Sequence, residues 1–324
     1  MNELAYRAAE RRLWRSIGAH PTERIIHLDR IGVDVRLQEI GSGPPMLFIH
    51  GIATSGVSWA ALAARATGFR CLIVDRPGTG LSQPLTRSID PATLAELSDV
   101  FVADVLDALE LPSAHVVASS LGGFVALRSA AATPERVDRM VQFSWPVGAP
   151  TRRLPVLLRA LSLPGFRNVF ERLPRTERSI RILFERMGHG EKLLDGRISQ
   201  LELDCYLALM LHTDTMRNEL APVPALMSPF RGLERLHLDD EVLSRVVSPT
   251  LFVWGARDPF GGEVVARALV DRLPNAELNV LPEGGHSPWL DDMDGCVSRL
   301  IRHLGDRATS GAVTPVRATE SAVA

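Results

Sequence analysis

The pattern of apolar and polar positions changes period several times along the chain. Residues 3 to 17 carry apolar positions at helical spacing among arginines, which predicts an amphipathic helix ahead of the main body. Arg24-Ile25-Ile26-His27-Leu28 and Val33-Asp34-Val35-Arg36-Leu37 have strand patterning, with Ile31-Gly32 between them as a hairpin turn. Gly41-Ser42-Gly43-Pro44-Pro45 breaks the chain, and Met46-Leu47-Phe48-Ile49 follows as an unbroken apolar run. Such a run predicts a strand covered on both faces. From there strands and helices alternate. Ser58 to Ala66 is predicted helical, Arg70 to Val74 a strand, Ala92 to Leu109 a helix, Ser113 to Val117 a strand, Leu121 to Ala132 a helix, and Val137 to Phe143 a strand. That alternation specifies an α/β fold, a mostly parallel central sheet flanked by helices on both faces.

The alternation stops at Pro146. Up to about Leu236 the chain reads as helices broken by prolines, with no run resembling a buried strand. It resumes at Thr250-Leu251-Phe252-Val253-Trp254, with a helix from Gly262 to Leu273, a strand from Ala276 to Val280 and a closing helix from Pro288 to His303. The expected organisation is therefore an N-terminal helical extension (1–22), a core in two pieces (23–145 and 237–305), a helical cap inserted between them (146–236) and a disordered tail (306–324). The cap is expected over the carboxyl ends of the strands. Leu154, Leu157, Leu158, Leu161, Phe166, Phe170, Leu207, Met210, Met216 and Met227 give it many apolar side chains, most of them expected to form its own core and the rest to line a pocket.

Composition narrows the function. A net charge of −2 over 324 residues, with the arginines scattered, leaves no electrostatic footprint for nucleic acid or an anionic membrane. No apolar run is long enough to span a bilayer. Residues 1 to 20 lack the apolar stretch of a secretory signal. Cys71, Cys205 and Cys296 are odd in number and far apart, which argues against a disulfide framework and suits a reducing, cytoplasmic setting. The expected oligomeric state is a monomer or homodimer. His20, His27, His115, His189, His212, His237 and His303 show no metal-ligand spacing, and Gly78-Thr79-Gly80 lacks the third glycine and following helix of a dinucleotide site. Neither metal nor cofactor is expected.

The chemistry concentrates at Val117-Ala118-Ser119-Ser120-Leu121-Gly122-Gly123. A serine with small residues two positions away on each side, between a strand and a helix, has the form of a nucleophile elbow with the first glycine relaxed to alanine. Small flanks are needed because the turn is tight and larger side chains would strike neighbouring backbone. The helix starting at Leu121 aims free N–H groups and its positive dipole end at the serine. Ser119 is the rival nucleophile, but Val117 and Leu121 flank it and are too large. A serine needs a base, and the base an orienting acid. His286 follows a strand in Glu283-Gly284-Gly285-His286-Ser287-Pro288, and Asp258 follows a strand in Gly255-Ala256-Arg257-Asp258-Pro259. Both belong at strand carboxyl ends, where α/β sheets place their sites. Asp291 and Asp292 compete as the acid but fall within the helix after the histidine. Asp75 is expected to hold the turn to Pro77-Gly78, and His50 to orient a loop.

With these marks in order, the chain resembles an α/β-hydrolase-fold serine hydrolase with a helical cap domain, over roughly residues 25 to 304. The resemblance rests on His50-Gly51, Asp75-Arg76-Pro77-Gly78-Thr79-Gly80-Leu81-Ser82, the elbow at Ser120, Asp258 and His286. It implies a catalytic triad of Ser120, Asp258 and His286, and an oxyanion hole made by the backbone N–H groups of Ile52 and Leu121. It also implies that Ser120 excludes the dehalogenases and epoxide hydrolases of the fold, which carry aspartate there. The expected function is hydrolysis of a carboxylic ester, lactone or thioester of a small apolar substrate through an acyl-enzyme. C–C bond hydrolysis and cofactor-free perhydrolysis stay open, as does a non-catalytic small-molecule binding protein or receptor on the same fold.

Overall fold

A computed structural model describes residues 2–305 apart from 152–153, 164, 167–169, 171, 229, 231 and 237; the side chains of Leu157 and Leu158 and the tail after residue 305 also lie outside the described residues. Eight strands form one sheet: β1 (Thr22–Leu28), β2 (Val33–Gly41), β3 (Pro45–Ile49), β4 (Arg70–Val74), β5 (Ala114–Ser119), β6 (Val137–Phe143), β7 (Thr250–Gly255) and β8 (Ala276–Leu281), in the order β1-β2-β4-β3-β5-β6-β7-β8. β2 is antiparallel to both neighbours, and every pair from β4 to β8 is parallel. The carboxyl ends of β3 to β8 therefore open on one edge. His50, Asp75, Ser120, Asp258 and His286 all follow such ends.

The sheet is flanked by helices on both faces. Alternate residues of the central strands divide between two cores. Leu47, Ile49, Leu72, Val74, Val116 and Ala118 pack with α3 (Pro91–Ala108) and α4 (Leu121–Ala132). Met46, Phe48, Cys71, Ile73 and Val117 pack with α1 (Glu3–Ser16), α2 (Ala60–Arg65) and the closing helix. α3 starts where Asp90 accepts from the Thr93 N–H at 2.8 Å and Pro91 occupies the first turn.

Between β6 and β7 the described chain is helical apart from one short bridge, Ser228 to Gly232. This insertion holds α5 (Val156–Leu161), α6 (Glu177–Phe184), a π-helical turn (Glu185–His189), α7 (Gly190–Leu194), α8 (Gln200–His212), α9 (Thr215–Leu220), α10 (Val223–Leu226) and α11 (Asp240–Ser244). α8 begins with a capping box, in which Ser199 accepts from the Glu202 N–H and Glu202 accepts from the Ser199 N–H. Leu161 and Met216 form a small core with Phe166, Phe170 and Met210 against it, whereas Leu154 and Met227 join the main core, and Leu161 and Met227 also line the cavity described below.

Some boundaries differ from the sequence expectation for local reasons. β2 runs on to Gly41 because Ile40 and Gly41 continue the ladder to Cys71 and Arg70. After α12 (Glu263–Val270) and β8, the closing helix is two: α13 (Pro288–Asp291) and α14 (Met293–Gly305). The break falls at Asp292, which has non-helical backbone and takes the Gly295 N–H at 3.0 Å. α1 packs on the body and on α8, and the Asn2 N–H donates to His212 O at 2.9 Å.

Candidate active site

The elbow is strained as its flanks require. Ser120 has φ 53°, a left-handed conformation that a non-glycine residue adopts only under constraint. A Cβ on Gly122 would lie 2.2 Å from the Ile49 carbonyl oxygen, and one on Gly51 2.9 Å from Ser120 Cβ. Glycine at both positions lets β3, its following loop and the elbow close together.

The imidazole and carboxylate meet as the strand ends imply. His286 Nδ1 lies 2.9 Å from Asp258 Oδ2. That oxygen also accepts from the Trp145 N–H at 3.1 Å, and Oδ1 accepts from the Phe260 N–H at 2.9 Å. Asp258 is buried, so these donors are what keep a carboxylate tolerable there. With Nδ1–H given to Asp258, the Nε2 lone pair is left for a hydroxyl. Phe260 packs on the imidazole at 4.6 Å and stacks on Trp145. Ser120 and His286 open on the same cavity. No hydrogen bond joins them in this structure.

The family model described as "Alpha/beta hydrolase family" matches residues 46–299. The chain belongs to the alpha/beta hydrolase family. Among its relatives is a 2-hydroxy-6-oxononadienedioate/2-hydroxy-6-oxononatrienedioate hydrolase from Cupriavidus pinatubonensis, 27% identical, the match covering 78% of this chain and 84% of that one. Another is a pimeloyl-[acyl-carrier protein] methyl ester esterase from Chromobacterium violaceum, 29% identical over 84% of this chain and 98% of the relative. Among solved structures, naproxen esterase from Bacillus subtilis superposes with a TM-score of 0.72 at 18% identity, covering 93% of this chain and 97% of its own. That likeness shows the fold.

In this hydrolase the loop after β3 is held from several sides. His50 is fully buried; its Nδ1 donates to Gly51 O at 2.8 Å and its Nε2 accepts the Arg76 N–H at 3.1 Å. Burial first, and the Arg76 charge second, push its pKa well below the ordinary histidine value, so the ring is neutral and fixed. The Arg76 guanidinium donates to His50 O at 2.9 Å and Gly51 O at 2.8 Å. It also pairs with Glu219 of α9 at 3.1 Å, and Glu219 accepts from the Ala53 N–H at 3.2 Å. Among the described residues, neither the Ile52 N–H nor the Leu121 N–H has an acceptor.

Asp75 accepts from the Gly56 N–H at 2.7 Å and the Leu81 N–H at 3.1 Å, rather than from the Pro77-Gly78 turn expected from sequence. Desolvation raises its pKa, and the nearby Arg36 opposes that rise. Asp291 does not contact the His286 ring; it accepts from the Gly285 N–H at 2.8 Å and lies 3.0 Å from His189 Nδ1.

The cavity measures about 840 Å³ and is mostly apolar. Ile52, Leu121, Phe260 and Trp289 line it from the core; Tyr206, Leu209 and Met227 line it from the insertion. Among the described lining residues the cations are Arg76, already engaged, and Arg87, which lies 3.4 Å from Glu96. Sequence reasoning missed Trp145, Phe260, Glu219 and Tyr206 as parts of this site. They come from distant elements, and no local spacing marks them. Among the described residues no three His, Cys, Asp or Glu side chains gather to hold a metal, and no helix is long and apolar enough to cross a membrane.

Proposed function

We propose that this alpha/beta hydrolase is a serine hydrolase that cleaves a carboxylic ester of an apolar substrate, with Ser120 as nucleophile, His286 as base and Asp258 as its orienting acid. The observation that carries the reading is the His286 Nδ1–Asp258 hydrogen bond at a cavity that the strained Ser120 also lines. His286 Nε2 takes the Ser120 proton as Oγ attacks the carbonyl carbon. The oxyanion forms toward the Ile52 and Leu121 N–H groups. Its collapse expels the alcohol, which takes the proton from His286. Water, activated by the same imidazole, then releases the acid and regenerates Ser120. The insertion acts as the cap that closes the cavity over the ester.

The cavity lining supports a neutral substrate. A carboxylate buried there would need a fixed cation; the Arg76 guanidinium is already engaged with Glu219 and two carbonyls, and Arg87 sits at an exposed position 3.4 Å from Glu96. The kinship to a hydrolase of 2-hydroxy-6-oxononadienedioate favours a second reading, C–C bond hydrolysis of a dienoate by the same residues. The two separate on kcat/KM for p-nitrophenyl butyrate against 2-hydroxy-6-oxononadienedioate. The ester reading expects the first to be turned over at least about a hundredfold more efficiently, as for a site lacking a partner for a buried charge. Preference for the dicarboxylate would replace it, and stoichiometric binding of either without turnover would replace both with a binding protein.

A further inference from the structure

The loop that carries His286 is held by the insertion. Three successive backbone N–H groups, those of residues 285, 286 and 287, point into one clamp. The Gly285 N–H donates to Asp291 Oδ2 at 2.8 Å. The His286 N–H donates to Met187 O at 2.8 Å. The Ser287 N–H donates to His189 Nε2 at 3.1 Å. His189 Nδ1 in turn lies 3.0 Å from Asp291 Oδ1, and both side chains are buried. The hydrogen bonds define the imidazole's state: Nε2 accepts, so the proton is on Nδ1 and is given to Asp291.

Met187 and His189 both belong to the π-helical turn of the insertion. Two glycines permit its contact with the loop. Gly188 has φ 93°, and a Cβ on it would lie 2.8 Å from Gly285 Cα. A Cβ on Gly285 would lie 2.5 Å from Met187 O. Arg257, just before Asp258, also bonds Glu191 of α7 at 3.1 Å, which ties a second catalytic loop to the same part of the insertion.

We infer that His189 is a positioning residue for His286: it fixes the backbone on the far side of the catalytic histidine, so the base is in register with Ser120 only while the insertion's turn is docked. The inference rests on the serine-hydrolase reading above. Met187 and His189 also line the cavity, so the test must separate a positioning role, read in kcat, from a substrate contact, read in KM. Misplacing a reacting group by about 1 Å costs up to about a hundredfold in rate, so loss of the clamp should register in kcat and not in KM.

The test compares His189→Gln, whose amide can give one hydrogen bond and accept the other, with His189→Met, which fills similar space and can make neither. Ile180→Ala, in a small core of the insertion with Ile198 and Leu203 and not itself part of the clamp or the cavity lining, is the stability control. kcat and KM for p-nitrophenyl butyrate are measured together with the rate of labelling by a fluorophosphonate. His189→Met is expected to lose at least about tenfold in kcat and in labelling rate with KM within about threefold. His189→Gln should stay within about threefold of the unsubstituted chain, and Ile180→Ala within about twofold, at a similar loss of thermal stability to the Met variant. The inference is overturned if the Met variant keeps its kcat, if Gln and Met behave alike, if Ile180→Ala loses as much, or if the Met variant does not fold. If the unsubstituted chain neither turns over ester nor is labelled, the serine-hydrolase reading fails first and takes this one with it.

Discussion

At φ 53° Ser120 stores strain that the surrounding packing must hold, and Gly122 is where that packing is least forgiving. Gly122→Ala would drive a methyl group against the Ile49 carbonyl, and the backbone must move to admit it. The expected cost is about 3 kcal/mol or more in a denaturant titration, with activity lost out of proportion to stability. His50 gives a pH signature. Its folded pKa is depressed, so as pH falls below the ordinary histidine value the unfolded chain takes up a proton that the folded chain refuses. Stability should therefore decline on acidification, by up to about 1.4 kcal/mol per pH unit from this group. His50→Gln should flatten the slope between pH 7 and 5; an unchanged slope would show that the ring titrates freely in the fold. At this scale the sequence was informative where a constraint is local. The small flanks of Ser120 and the loop positions of Asp258 and His286 are written within a few residues of each. The Trp145 N–H that supports Asp258 is not, because any residue supplies an N–H and only the fold brings this one across 113 positions.

Among elements, α9 and α1 show how the insertion and the N-terminal extension reach the site. Glu219 of α9 bonds both Arg76 and the Ala53 N–H, next to the proposed oxyanion donor Ile52. Glu219→Gln keeps the shape and removes the charge, and should lower kcat for ester hydrolysis about tenfold with little change in KM, since one misaligned donor is worth up to about a hundredfold or more. An equal rise in KM would instead place Glu219 in substrate binding. α1 carries Glu10, buried beside the buried Arg36 at 2.8 Å, and Tyr6, whose hydroxyl meets Ser55 Oγ at 2.8 Å on the loop after β3. Glu10→Ala leaves Arg36 with Glu23 and Asp75 alone and should cost about 3 kcal/mol in thermal or denaturant unfolding. Helical periodicity announced α1, but its polar buried face reads in sequence as an exposed one. Charge and burial separate only where a partner is present, and Arg36 lies 26 residues away. The same holds for the broken closing helix, where Asp292 outweighs a continuous helical pattern.

Across the whole molecule, the order of strands and the interruption after β6 were legible because buried parallel strands leave unbroken apolar runs, and an insertion with none stands out against them. The packing of the insertion on the core was not legible. Glu219 to Arg76 spans 143 positions and His189 to Asp291 spans 102, and neither leaves a periodic trace. Those contacts make the cavity a joint product of sheet and insertion: the strand ends carry Ser120, His286 and Asp258, and the insertion bonds the loops after β3 and β8. The cavity they share, about 840 Å³ and mostly apolar, is expected to favour p-nitrophenyl esters of medium-length acyl chains over the acetate, read as a rise in kcat/KM with chain length. A flat or falling series would place the acyl group outside it.

The most direct measurement is the site of covalent labelling by a fluorophosphonate, read by peptide mass spectrometry on the folded protein. A single phosphonyl group on Ser120, absent after heat unfolding and absent in folded Ser120→Ala, is the expected result. A folded protein that takes no label at Ser120, or takes it elsewhere while still hydrolysing ester, would contradict the nucleophile and with it the chemistry assigned to His286 and Asp258.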